Sequence, residues 1–550
     1  MHKSTLIAIA ACLVAFAGLA YYAAHAFELS GEEGRGGQIA ALPQLIQNIT
    51  YPAPRTEPFA VIDHADVNPY GINTFLHQEV EPAKREQQLK LIAEAGFHWI
   101  RQEFPWQDIE IAGRGDFIDR RNDPNGVDAW AKYDNIVDLA EKYHIEIIAR
   151  ISSPPVWSRA KAENETGTFA PPDNYDDYAH FAAALADRYK GRITYFQIWN
   201  EPNIYPEWGN YPINPEEYTK LLCNAYHAIK AVNPDAVILS AALAPTTEIQ
   251  DGTLNDYLFL QRMYGAGAGE CFDILSAQGY GLWSGPTDHR ARPFIINFAR
   301  NQYLRDIMVR NGDSHKAIWI SEMNWNVAPG DVPASYGRAT LDQQARWAPL
   351  AYERAQKDWP WVGVIAFWYF KRADDEWLKA RRPEAYFQMS APDFTLQPVY
   401  DSMKSYITGQ TPMMYRGTHK ADSWVVTYGK GWASDGFLRK ADEGADPVTF
   451  MFEGTEIQIV FGPPGEIPNS SITYAVDGHQ PIRTTAHVGG ATWKGGSGKH
   501  TITITPTGKV TIAYYVVRRS IPVLLLAVII AIVVMAGGIF AASRKLESEV

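Results

Sequence analysis

The stretch Ile193-Thr194-Tyr195-Phe196-Gln197-Ile198-Trp199-Asn200-Glu201-Pro202-Asn203 decides the fold. Up to Trp199 it is apolar or aromatic apart from Thr194 and Gln197, the make-up of a buried strand. Pro202 has no N–H for a ladder bond, so the strand ends just before it. Asn200 and Glu201 therefore stand at a strand exit. A second such exit follows where Ala317-Ile318-Trp319-Ile320-Ser321 runs into Glu322, then Met323-Asn324-Trp325. Two glutamates, each closing its own strand and each flanked by tryptophan, point to a carboxylate pair aimed at one mouth.

Working outward, short apolar strands alternate with amphipathic helices. Strands are predicted at Tyr70–Asn73, His98–Arg101, Ile145–Ile151, Ile193–Trp199, Ala236–Ser240, Phe272–Ala277, Ala317–Ser321 and Gly363–Phe370. Helices are predicted at Lys84–Ala95, Trp130–Tyr143, Tyr175–Tyr189, Pro215–Val232, Gln302–Asn311 and Leu341–Lys357. This alternation over 57–408 predicts an α/β (β/α)8 TIM barrel. A doubly wound sheet is the alternative, but no glycine-rich phosphate fingerprint follows the first strand. Beyond it the period changes to two in Val448–Phe452, Glu456–Phe461 and Thr501–Thr505, punctuated by Gly462-Pro463-Pro464-Gly465 and Asp477-Gly478. An antiparallel β-sandwich is expected over 409–518.

Both ends carry long apolar runs. Residues 5–27 hold no acid, Lys or Arg and follow Lys3. Residues 1–28 are expected to be a transmembrane segment or a signal peptide, and Ala24-His25-Ala26 has the small-x-small form of a cleavage site. A glycine-rich linker fills 29–56. The run Ile521–Ala542 is apolar all round and long enough to cross a bilayer at about 1.5 Å per residue. It predicts a transmembrane helix over 519–543, and Arg544 and Lys545 favour a cytoplasmic tail over 544–550. The expected localisation is the cell membrane, with barrel and sandwich on the extracytoplasmic side.

The chain has 550 residues, enough for two or more domains, and 46% apolar content argues against wholesale disorder. A formal charge of −12 disfavours a nucleic-acid partner. The 17 Trp, 29 Tyr and 23 Phe suit a protein that stacks on sugar rings, and equally a large barrel filled with aromatics. The chain contains neither CxxC nor HExxH, so a structural zinc site or a zincin is not expected, and chemistry by a carboxylate pair implies no metal and no cofactor. Cys223 and Cys271 are free to pair in an exported protein, and their spacing leaves that open.

Breaking a glycosidic bond takes a proton for the leaving oxygen and stabilisation of an oxocarbenium-like centre. Two carboxyls about 5–5.5 Å apart supply both, one of them as nucleophile. Their environments must push their pKa values apart. In a barrel such groups sit at the C-terminal ends of strands, and Glu201 and Glu322 close the predicted fourth and seventh.

These residues carry a resemblance. Trp199-Asn200-Glu201-Pro202-Asn203, Ile320-Ser321-Glu322, Arg101 in Trp99-Ile100-Arg101, and Trp368 in Ala366-Phe367-Trp368-Tyr369-Phe370 resemble glycoside hydrolases of clan A, which includes families 5 and 39. Phe104-Pro105-Trp106-Gln107-Asp108-Ile109-Glu110 is similar to the family 39 neighbourhood. The resemblance covers about 57–408 and implies a retaining mechanism. It implies Glu201 as acid/base and Glu322 as nucleophile, Asn200 on the sugar 2-hydroxyl, Arg101 holding Glu322 ionised, and Trp368 flooring the subsite. Many members carry His-x-Tyr after strand six; here it is Gln278-Gly279-Tyr280, so Tyr280 is expected to bond the nucleophile and Gln278 to face substrate. Trp106 and Trp325 are candidate sugar platforms, as are Trp157, Trp208 and Trp283. The partner expected beside the membrane is a carbohydrate substrate. Two alternatives stand: an idle barrel that binds glycans or scaffolds a surface complex, and a transglycosylase.

Overall fold

The computed structural model describes residues 50–462, 471–485 and 490–520, with a few isolated positions outside them. Eight parallel strands build the first sheet: β1 (Tyr70–Thr74), β2 (Trp99–Pro105), β3 (Glu146–Ser152), β4 (Tyr195–Ile198), β5 (Val237–Leu239), β6 (Leu275–Gln278), β7 (Ile318–Met323) and β8 (Val362–Phe367). Their order is β6-β7-β8-β1-β2-β3-β4-β5. β5 and β6 close the ring through Ser240 N–H donating to the Ile274 carbonyl (3.1 Å) and parallel bridges at Leu239–Ile274 and Leu243–Ala277.

Eight helices alternate with the strands: α1 (Pro82–Glu94), α2 (Ala131–Lys142), α3 (Tyr175–Arg188), α4 (Pro215–Val232), α5 (Asp256–Gly265), α6 (Asn301–Arg310), α7 (Leu341–Asp358) and α8 (Pro398–Gly409). Local chemistry sets their starts. Asn214 caps α4 by accepting from the Glu216 and Glu217 N–H groups (both 3.1 Å), with Pro215 following. Thr340 and Gln343 form a capping box at α7. The α3 face of Tyr178, Phe181, Ala182 and Leu185 is buried, as its helical period requires. A disulfide joins Cys223 on α4 to Cys271 just before β6.

The second body is one mainly antiparallel nine-stranded sheet: β9 (Met413–Met414), β10 (Gly417–Lys420), β11 (Trp432–Asp435), β12 (Leu438–Ala441), β13 (Val448–Phe461), β14 (Ser471–Val476), β15 (Ile482–Thr485), β16 (Ala491–Pro506) and β17 (Val510–Arg518). It folds over an apolar core that includes Phe450, Phe452, Ile457, Ile459, Ile502, Ile504 and Tyr515, in the manner of a sandwich. The predicted strands 448–452 and 456–461 are one strand, whose register with β16 shifts between Gly454 and Glu456. The polar Glu453-Gly454-Thr455 insert marks a bulge, not a turn.

One expectation is corrected. The fold was expected to carry a transmembrane helix at each end, yet among the described residues no helix is long and apolar enough to cross a membrane. Nearly all of the runs 5–27 and 521–542 lie outside the described residues. The expected membrane partner and cell-membrane localisation rested on those helices and are withdrawn with them.

Barrel and sheet meet at Asp66, on the segment leading into β1. Its carboxylate accepts from the Lys420 N–H (2.7 Å) and pairs with His419 Nδ1 (2.6 Å), both on β10. His419 Nε2 faces the Tyr415 carbonyl at 2.8 Å. Burial pulls this imidazole down, but Asp66 and the Tyr415 carbonyl outweigh it and hold the imidazole above its ordinary range. For a raised histidine, the stabilisation is complete below the unfolded value of 6.5 and is lost as pH rises through the higher folded value. Melting temperatures followed upward from pH 6.5 are expected to decline in the wild type, and Asp66→Asn is expected to flatten this arm of the curve.

Candidate active site

The site is built around Arg101 on β2, which is 3% exposed. A guanidinium this deep needs acceptors for its donors, and it has four. Nε donates to Gln197 Oε1 on β4 (2.6 Å), Nη1 to Asn73 Oδ1 on β1 (2.9 Å) and to Glu322 Oε1 on β7 (2.8 Å), and Nη2 to Asn200 Oδ1 (2.9 Å). Asn73 Nδ2 donates to the Ser321 carbonyl (2.8 Å) and Gln197 Nε2 to Ser321 Oγ (3.0 Å). Strands from opposite sides of the barrel are thus tied under the mouth by one cation.

Glu322 lies within β7, 4% exposed, and both oxygens accept. Arg101 holds Oε1, and the Tyr280 hydroxyl donates to Oε2 at 2.7 Å. Burial pushes the Tyr280 phenol well above its ordinary range, and the charges of Glu322 and Glu201 add to this, so it remains a donor.

Glu201 sits in a different environment. β4 ends at Ile198, and Trp199 turns the chain with φ of 75°. Glu201 Oε1 accepts from the neutral amide of Gln278 (2.8 Å). Burial holds this carboxyl well above the usual carboxylate range, and the charges of Glu322 and Glu207 push the same way; Gln278 and Arg101 pull back only in part. Gln278 itself stands in register with Glu322 on β7. The two carboxyls therefore converge: one amide bonds Glu201 beside the Glu322 backbone, and one guanidinium bonds Glu322 and the neighbour of Glu201.

Aromatic side chains form one wall. Phe75, Tyr369 and Phe387 cluster with half-buried Tyr280, Tyr336 and Trp368. The structure brings Asn200, Arg101, Tyr280 and Gln278 to the carboxylates, and Trp368 packs in the same aromatic cluster as Tyr280. It sets Trp106 and Trp325 elsewhere. Both are 0% exposed, with their N–H groups donated to Glu110 Oε2 (2.6 Å) and to the Ser284 carbonyl (2.7 Å), so neither offers a face to substrate. Trp208 is also buried, Trp157 is half-buried and bonded to the Glu110 carbonyl, and Trp283 is exposed. A cleft of about 560 Å³ beside Tyr175, Trp208 and Tyr211 contains neither carboxyl.

Sequence reading passed over a charged group on the β2–β3 side. Glu103 pairs with Arg150 at 2.5 Å and accepts from Ser152 Oγ (2.7 Å) and Ser153 Oγ (2.8 Å). Burial opposes its charge, but Arg150, His77 and the two hydroxyls outweigh burial and take the carboxyl down to about 2. Burial takes His77 down to about 4. Asn73 and Gln197 were passed over as well. A polar residue inside an otherwise apolar barrel strand was the available signal for Asn73, Gln197 and Arg150.

Residues 61–255 match the cellulase family (glycosyl hydrolase family 5), a span that includes Arg101, Asn200 and Glu201. Fold and this match make the chain a glycoside hydrolase, similar over that span to family 5. No curated protein matches it. Among solved structures, a family 39 glycoside hydrolase from the gut symbiont Bacteroides cellulosilyticus WH2 is 17% identical, with a TM-score of 0.47 over 81% of this chain and 82% of that one. A family 39 β-xylosidase from Caulobacter crescentus is 14% identical, with a TM-score of 0.43 over 83% and 97%. Xylanase 10B from Thermotoga maritima is 17% identical, with a TM-score of 0.42 over 63% and 97%. Likeness at this level says nothing about the substrate of this chain.

Proposed function

We propose that the protein is a retaining β-glycosidase that hydrolyses O-glycosidic bonds of an oligosaccharide or polysaccharide by double displacement. In the first step a Glu322 oxygen bonds the anomeric carbon while the bond to the leaving oxygen breaks, and Glu201 gives that oxygen its proton. In the second, water attacks the same carbon, its proton passes to Glu201, and the ester to Glu322 breaks. Asn200, oriented by Arg101, meets the sugar 2-hydroxyl, and Trp368 floors the subsite.

The observation that carries this is the asymmetry of the two carboxyls. Glu322 takes two donors, one of them cationic, while Glu201 is buried beside a neutral amide, and burial raises its pKa above the usual carboxylate range. That division of labour is what a nucleophile and an acid need, and a passive glycan binder has no use for it. The test is the stereochemistry of the first product. Proton NMR of a 4-nitrophenyl β-glycoside digest is expected to show the β-anomer before mutarotation. An α-anomer appearing first would refute double displacement.

A further inference from the structure

Phe75, at the end of β1, packs edge-on against Trp368, with ring centroids 5.5 Å apart at 78°. The Arg372 guanidinium lies 4.5 Å over the Phe75 ring and 3.6 Å over the Trp377 ring. Trp377 carries the Arg382 guanidinium at 4.2 Å. Exposure rises along this stack, from buried Phe75 through half-buried Arg372 and Trp377 to exposed Arg382. Planar groups thus step outward from Trp368 toward solvent.

The cations here differ in their partners. Lys371 is buried against Glu79 at 3.3 Å, and Arg382 Nε lies 3.5 Å from Glu384. Arg372 has no ion pair and no hydrogen bond among the described residues. Asp374 and Glu103 are the carboxylates whose charge reaches it, and Glu103 is held by Arg150 at 2.5 Å. A half-buried guanidinium without a counter-charge leaves its N–H donors to solvent or to a ligand. The two rings hold the guanidinium carbon at 4.5 and 3.6 Å, and its N–H groups make no hydrogen bond within the described residues. A planar fork matches a carboxylate through two parallel bonds, which an ammonium cannot reproduce.

We propose that Arg372 binds the carboxylate of a uronic acid residue of the substrate, next to the sugar floored by Trp368. This rests on the glycosidase reading and adds the substrate class, a β-linked glycan carrying uronate. Were Arg372 only packing on the two rings, the protein would show no preference for charge.

The test uses the full chain bearing Glu322→Gln, so that ligands survive titration. Calorimetry compares matched trisaccharides: xylotriose with one glucuronate substituent and the same molecule with that carboxyl reduced, then cellotriose and its uronate-containing counterpart. The acid form is expected to bind about 10- to 100-fold tighter in at least one pair, the range of a charge-assisted bidentate bond. Adding Arg372→Gln is expected to bring the ratio toward one, and Arg372→Lys to retain part of it; melting curves check that both variants fold. Equal affinity within every pair, a ratio untouched by Arg372→Gln, or no binding by any acid form overturns the proposal. Wild-type hydrolysis lost in Glu322→Gln is measured separately. Hydrolysis without acid preference sinks the uronate subsite alone, and acid preference without Glu322-dependent hydrolysis sinks the glycosidase reading alone.

Discussion

Glu322→Gln is expected to lower kcat/KM for aryl β-glycosides by about 10⁴-fold or more, with the protein still folded. The loss corresponds to roughly 5 kcal/mol of transition-state stabilisation, because an amide oxygen cannot form the glycosyl ester. The effect on stability is of another order. The Gln amide can present its oxygen to Arg101 Nη1 and its NH2 group to the Tyr280 oxygen, so both bonds, now 2.8 and 2.7 Å, can be remade. What remains is the uncompensated charge of Arg101, still hydrogen-bonded to Asn73, Gln197 and Asn200. Breaking a buried pair costs up to about 3–5 kcal/mol when the remaining charge has no other acceptor, and less here. Circular dichroism melts and initial rates on one preparation separate the two effects. A variant that keeps more than about a tenth of wild-type turnover would remove Glu322 from the role of nucleophile.

The site and the barrel were legible in the sequence for a common physical reason. A barrel strand is buried on both faces, so it reads as an apolar run, and any polar residue in it stands out. Glu201 and Glu322 were visible in this way at their strand exits, whereas Arg101 entered only through the family resemblance. Helices α5 and α8 were not. In α5, Tyr257-Leu258-Phe259-Leu260 is an unbroken apolar run that hides the helical period, although only Phe259 and Leu260 of the four are buried. Tryptophan was the least readable signal. Trp368 lies at the mouth and Trp106 in the core, yet both follow a strand and neighbour aromatic residues. What separates them is tertiary: Trp106 stacks on Phe181 of α3 at 5.7 Å and bonds Glu110. Sequence also could not show that Gln278 would reach the Glu201 carboxyl directly.

Glu201→Gln is expected to lower kcat/KM for glycosides of poor leaving groups about 10²- to 10⁴-fold and to erase the alkaline limb of the pH profile. The leaving oxygen of an alkyl glycoside or disaccharide needs the proton; that of a nitrophenyl glycoside hardly does, so its first step should survive. Its second step should stall, since no base remains to activate water, and added azide is expected to restore turnover and yield a β-glycosyl azide. Burial, then the charge of Glu322, raises the Glu201 pKa, so the acid form persists above the usual carboxylate range and activity falls as pH climbs through the raised value. Linkage gives stability the same direction. A carboxyl whose folded pKa lies above its unfolded value of 4.5 binds its proton more tightly when folded, so ionising it weakens the fold as pH rises from there through the folded value. Glu201→Gln carries no such group and should melt higher than the wild type on the alkaline side while turning over slowly. A variant whose melting temperature and alkaline activity limb both follow the wild type would show that position 201 does not carry the titrating acid.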